Sequence, residues 1–279
     1  MKRLTNKQKQ EWLKSHSERL VRKTFKNLED NFNTIPKDYT AVYNELMTNL
    51  SKAVEESLSG NSINSPILLQ NKLMLLVQQA VTRLTQLDVQ HDTYLQKILK
   101  DYHTTITSHQ INLIKKAREE GILFSELELN ETALQMAIQF PYQEYTFVAG
   151  LNKGTFMVQD KLNKLLANKI LDGTSVVKLS KEIEATFNIK KHIAERIART
   201  ETSRVLNQAS LNTYKQAGLT KVKWLDSTEA IRSSKRNKTL VCKDCRKVAT
   251  HNGGIYPIDE VPSLPLHPHC RCTVTPVIE

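Results

Sequence analysis

The chain has 279 residues, 40 Lys and Arg against 29 Asp and Glu, and a formal net charge of +11 with His neutral. Its length buries a sizeable core as one large or two small domains, while eight Gly, eight Pro and few aromatic residues exclude an all-β sandwich or barrel, which needs frequent turns. The positive excess favours an anionic partner, either nucleic acid or an acidic protein surface.

The N-terminal MKRLTNKQKQEWLKSHSERL lacks the apolar run of a secretory signal. The most apolar stretch, PILLQNKLMLLV, is interrupted by Gln70, Asn71 and Lys72 and is too short to span a bilayer. The expectation is a soluble protein without membrane association, made in a reducing cytoplasm where thiols stay free or bind metal.

In chain order, Trp12, Leu20, Phe25, Leu28 and Phe32 recur at helical spacing and predict a helix over 5–33. Pro36 suits the start of a second helix over 37–58, stopped by Gly60. Ser65-Pro66 opens a helical stretch reaching Gly121, with Leu73, Leu76, Val77, Ala80, Val81, Leu84 and Leu87 as its apolar stripe. A bend or break is expected within it at HDTY (91–94) or DYHTTITSH (101–109). A helix over 131–140 ends at Pro141, and another runs to Leu171 after two early glycines. Asp172-Gly173-Thr174-Ser175 reads as a turn and N-cap. Two helices follow, over 176–187 and from 190 to Gly218, the C′ residue of the second.

Beyond Gly218 the pattern changes from helical to alternating in TKVKWLDS, IYPID and TVTPVI. The fold class expected is mainly α with a small α+β C-terminal module: long helices followed by a zinc-knuckle-type, β-containing module. The domains are a helical N-terminal region, 1–149, and a module over 150–279 whose metal-binding portion is 219–279.

All four cysteines fall in that portion, as Cys242-x2-Cys245 and, after 24 intervening residues, Cys270-x-Cys272. A CxxC knuckle presents two thiolates from one turn to a tetrahedral ion at about 2.3 Å. His267-x-x-Cys270 repeats that separation, and Pro268 stiffens the turn between them. Five candidates therefore compete for four positions. Cys242, Cys245, His267 and Cys270 are the preferred set, because one intervening residue in an extended chain sends Cys270 and Cys272 to opposite faces. Cys272 is then spare or substitutes for one of them; His251 and His269 are weaker candidates. A disulfide is the alternative to metal. A catalytic ion would need an open position and an acid or base beside it, and nothing in the sequence ties Asp259 or Glu260 to that role. A closed structural Zn2+ site is the expectation.

The ordered series IARTETSRVLNQASLNTYKQAG, KWLDS, CKDC, GGIYPIDE, LPLHPHCRC and TVTPV resembles the phage minor head protein, or head morphogenesis, family of Mu F-like proteins. The resemblance covers about 150–279 and is strongest over 194–277. It implies a low-copy virion protein in the phage head, associated with the portal protein and with capsid and scaffold proteins. It would be incorporated from the host cytoplasm as the procapsid forms, and would touch packaged double-stranded DNA without sequence preference. It also implies that Cys242, Cys245, His267, Cys270 and Cys272 fall on the family's cysteine/histidine motif, and Arg199, Thr200 and Glu201 on its RTE helix motif. The chain departs from the family in DSTEAIRSSKRNKTLV (226–241), a longer and more basic loop, and its first 150 residues carry no matching motif.

RTET is not read as a catalytic pair, since Arg199 and Glu201 sit two apart on a helix and point in different directions. Thr200, Glu201 and Arg204 instead suit hydrogen bonds to a facing strand or helix end. Within 178–240, fourteen Lys and Arg face six Asp and Glu. Arg232, Lys235, Arg236 and Lys238 of the SSKRNK loop are the candidates for phosphate contact. The reading is a non-enzymatic phage head protein. The rivals are a zinc-containing DNA-binding protein or an HNH-like nuclease, suggested by HNGG at 251–254, although no helix for a second, catalytic metal follows the cysteines.

Overall fold

The computed structural model describes residues 5–32, 34–59, 62–63, 65–119, 122, 132, 136, 147–169, 176–226 and 242–278. Its elements are α1 (Asn6–Phe32), α2 (Thr34–Ser57), β1 (Leu58–Ser59), β2 (Ser62–Ile63), α3 (Pro66–Glu119), α4 (Phe147–Lys169), α5 (Val176–Gln216), β3 (Lys221–Leu225), α6 (Lys243–Thr250), β4 (Ile255–Pro257) and β5 (Thr273–Val277). Mainly helical structure with a small C-terminal sheet is the class expected from the sequence. Among the described residues no helix is long and apolar enough to cross a membrane. The helix expected over 131–140, apart from residues 132 and 136, the turn at 172–175 and the basic loop with Arg232, Lys235, Arg236 and Lys238 lie outside the described residues.

Local chemistry fixes several helix ends. Thr5 and Gln8 form a capping box: Gln8 N donates to Thr5 Oγ1 at 3.3 Å and Thr5 N to Gln8 Oε1 at 2.9 Å. Ser65 caps α3 by accepting from Leu68 N, with Pro66 as the first helical residue. Pro36 falls in the first turn of α2 rather than before it, where its missing N–H costs nothing. Gly218, with φ of 79°, closes a Schellman motif at the end of α5, as Leu219 N donates to Tyr214 O and Gly218 N to Lys215 O, both at 3.0 Å.

Two expected interruptions are absent. α3 runs unbroken through 91–94 and 101–109: Leu95, Leu99, Ile106, Leu113 and Ala117 continue a buried stripe, and with no Pro or Gly there the backbone has no reason to stop. The helices expected over 176–187 and 190–218 are one helix, α5. Asn188 is accommodated within it, accepting from Lys191 Nζ at 3.2 Å, and Ile183, Phe187, Lys190 and Ala194 keep one buried register across the junction.

The described residues group into two compact units that interleave along the chain, one of Met1–Asn31, Gln96–Glu144 and Ala198–Glu279, the other of Phe32–Leu95 and Tyr145–Ile197. The second unit is helical, with a two-residue hairpin pairing Leu58 with Ile63. Its core is drawn from Tyr39, Val42, Leu46 and Leu50 of α2, Leu73, Val77, Ala80 and Leu84 of α3, Leu151, Val158 and Leu162 of α4, and Ile183 and Phe187 of α5. Gly150 and Gly154 stay within α4 because they allow close approach to α5: a Cβ at Gly150 would lie 2.7 Å from Ile197 Cδ1.

The first unit carries the C-terminal sheet, antiparallel in the order β4-β3-β5. β3 is central, and its alternation buries Val222 and Trp224. These pack in one apolar cluster with Tyr214, Leu219, Ile258, Leu264, Val274 and three cysteines, Cys245, Cys270 and Cys272. The outer edge of β5 is occupied by Gln10 of α1, whose amide donates to Pro276 O at 2.9 Å and accepts from Ile278 N at 2.8 Å. One side chain thus satisfies backbone groups on the edge of β5 that does not pair with β3.

Candidate metal centre

The CKDC segment forms the start of α6. Cys242 is its N-cap, in extended conformation, and its Sγ accepts from Cys245 N at 3.2 Å. The CxxC spacing thus becomes a cap: the first sulfur reaches over the helix start and the second, one turn on, points into the apolar cluster.

The opposing wall is LHPHC. Cys270 N donates to His267 O at 3.1 Å, and His269 has a φ of 61°. With Pro268 at the second corner and a left-handed residue at the third, this is the pattern of a type II turn. A left-handed residue other than Gly costs roughly 1–2 kcal/mol, which the surroundings of His269 must offset. Pro268 O also accepts from His267 Nδ1 at 2.7 Å. That bond assigns the proton to Nδ1 and leaves the Nε2 lone pair facing Cys245 Sγ, 3.1 Å away. A metal-binding histidine is oriented in just this manner.

The five sequence candidates come together in two overlapping groups. The donor atoms of Cys242, Cys245 and His267 lie within 4.8 Å of one another, and so do those of Cys245, Cys270 and Cys272. Cys245 is common to both. Its sulfur is 3.7 Å from that of Cys270, close to the edge of about 3.8 Å expected for two thiolates at 2.3 Å from one tetrahedral ion. The inner three cysteines are buried, whereas Cys242 and His267 are half-buried. Hydrogen bonding from Cys272 lowers the Cys270 thiol to about 5, while Cys272, bonded to Cys270, is raised, and burial raises Cys245. Three thiols this close resist ionising together. A soft divalent cation neutralises several. The cluster can hold a metal ion.

Cys272 corrects the sequence expectation. It does not turn away from Cys270 but joins the inner group. The alternation argument assumed extended chain, but Cys270 closes the turn and β5 begins only at Thr273. His251 lies outside both groups; it is exposed and stacks on Tyr256 with ring centroids 6.2 Å apart. Asp259 pairs with Lys215 Nζ at 2.5 Å. Glu201 pairs with Arg204 Nε at 2.8 Å, both buried, and Arg204 Nη1 donates to Gln208 Oε1 at 2.8 Å. The RTE helix is thus a buried packing element.

Two α5 residues reach the ligand-bearing segment. Thr200 Oγ1 accepts from His269 N at 3.1 Å, and Asn207 Nδ2 donates to Cys272 O at 3.1 Å. Asn207 was not among the sequence candidates. Its available signal was position, two turns beyond Thr200 on the same face of α5.

Residues 160–275 match the family model described as Phage Mu protein F like protein. No curated protein and no solved structure matches the chain. The matched segment contains Thr200, Asn207 and all five donors, in the order read from the sequence. Over residues 160–275 the chain is therefore similar to the Mu F-like family, the resemblance read from the sequence motifs.

Proposed function

We propose that this chain is a low-copy minor capsid protein of a phage head, docked on the portal and inner capsid during assembly, whose C-terminal module is closed by a structural Zn2+. The observation that carries the reading is the coincidence of a converged Cys/His cluster with the Mu F-like domain. Cys242 and Cys245 from the α6 cap, with His267, Cys270 or Cys272 from the facing segment, would hold the ion. When bound it supplies folding free energy to a three-stranded sheet too small to be stable by burial alone. All five donors are protein side chains, which suits a closed structural site, and the role proposed is non-enzymatic.

The net charge of +11 supports contact with packaged double-stranded DNA, with Arg232, Lys235, Arg236 and Lys238 as the phosphate-contacting residues. Such contacts neutralise phosphates without reading bases. The test is sedimentation of purified protein with portal and with procapsids lacking DNA, with zinc content measured on the same sample. Co-sedimentation with about one zinc per chain is expected. Absence from both pellets would remove the head-assembly reading, and metal-free protein prepared under reducing conditions would remove the zinc.

A further inference from the structure

We infer that Thr200 and Asn207 of α5 are positioning residues of the metal centre, holding its ligand-bearing segment in binding geometry before any ion arrives. The inference rests on the proposed metal reading and adds to it the source of the site's preorganisation.

The turn presenting His267 and Cys270 needs a left-handed backbone at His269, which has a side chain that disfavours it. The amide of this same residue is held by Thr200 Oγ1. Three residues on, the carbonyl of Cys272 is held by Asn207 Nδ2. The two anchors bracket Cys270 and Cys272, and both come from a helix buried on all sides at this level: Thr200, Glu201, Thr202, Ser203, Arg204 and Asn207 are each nearly inaccessible.

The anchors are themselves fixed. Asn207 Nδ2 also bonds Ser203 O at 2.8 Å, which restricts its rotamer. One turn of α5 away, the buried Glu201–Arg204 pair sets the helix face. Neither anchor offers a donor to the ion, so the role is to reduce what binding must order. Loosening the shell around metal ligands lowers affinity by about 10- to 100-fold. A residue serving only the fold would instead destabilise metal-free and metal-bound protein alike.

The experiment uses the full chain and zinc, comparing wild type with Thr200→Val, Thr200→Ser and Asn207→Leu. Zinc affinity is measured by competition with a chromophoric chelator, and thermal midpoints are taken with and without zinc. Thr200→Val and Asn207→Leu should each weaken zinc binding about tenfold or more. Thr200→Ser, which keeps the acceptor oxygen, should stay within about threefold of wild type by the same reasoning. Hydrogen exchange of metal-free protein should show the amides of 269–272 protected in wild type and Thr200→Ser but not in Thr200→Val. Unchanged affinity in both anchor-removing variants, with wild type fully loaded, overturns this inference alone. Wild type that takes up no zinc overturns the metal reading beneath it. If Thr200→Val fails to fold, Asn207→Leu and the serine variant still decide the matter through affinity.

Discussion

Lys190 and Asp88, 102 residues apart in the chain, meet as a fully buried ion pair with Nζ 2.6 Å from Oδ1. The pair joins α5 to α3, and other helices of the same unit complete it. Tyr39 OH donates to Asp88 Oδ1 at 2.7 Å, Thr155 Oγ1 to Oδ2 at 2.5 Å, and Lys190 Nζ also donates to Leu151 O at 2.5 Å. Four helices thus share one polar centre within the core of this unit.

Breaking that centre from one side should be costly. Lys190→Met leaves Asp88 buried with the hydroxyl donors of Tyr39 and Thr155 but no cation from α5, and a loss of about 3–5 kcal/mol is expected. Adding Asp88→Asn removes the uncompensated charge and should recover part of that loss. Urea unfolding of the two variants checks the order; a double variant no more stable than Lys190→Met would contradict it.

The second prediction concerns pH. His103 of α3 is buried with no partner at Nε2 among the described residues, and burial lowers its pKa from 6.5 to about 4. The folded value lies below the unfolded one, so the unfolded chain takes up this proton first as pH falls. Stability from this group is intact above about pH 6.5, declines towards pH 4 by at most about 1.4 kcal/mol per unit, and then levels off. Thermal midpoints between pH 7.5 and 4 should fall less steeply in His103→Leu than in wild type.

Among the donors, Cys245 belongs to both groups. Cys245→Ala should therefore abolish stoichiometric zinc, while His267→Ala and Cys272→Ala differ from each other, the weaker binder marking the fourth ligand. Chelation should expose Trp224, which is fully buried in the cluster that holds the cysteines. The observable is a red shift of tryptophan emission with little loss of helical circular dichroism.

The HNGG turn gives a fourth test. Gly254 has φ of 76°, and a Cβ there would lie 2.7 Å from Ala249 O and 3.1 Å from Trp224 O. Gly253 has φ of 65° with open space around it. Gly254→Ala should cost about 2–3 kcal/mol, through steric conflict with fixed backbone as well as strain. Gly253→Ala should cost about 1 kcal/mol, through strain alone. Equal losses in thermal midpoint would show that the close approach is unimportant.

Much of the site was legible because its chemistry is local. Pro268 before His269 encodes the turn, Cys242 three residues before Cys245 encodes the cap, and KVKWL encodes a central strand by alternation. Alternation does not place Cys272, because the chain turns at Cys270 before β5 begins at Thr273. The continuity of α5 through Asn188 and Ile189 depends on Lys190, a cation whose burial only the tertiary structure decides. Its place in the register of Phe187 and Ala194 was a core position.

The sequence by itself determined most of the helical body, the three C-terminal strands, the five candidate donors and the family resemblance, because periodicity, turn chemistry and ligand spacing act over a few residues. The tertiary structure decided which sulfurs share Cys245, which helix holds the ligand-bearing segment, and which acid neutralises Lys190. Those pairings span 25 to 102 residues. They follow from burial, which leaves a polar group only the partner that packing brings within reach.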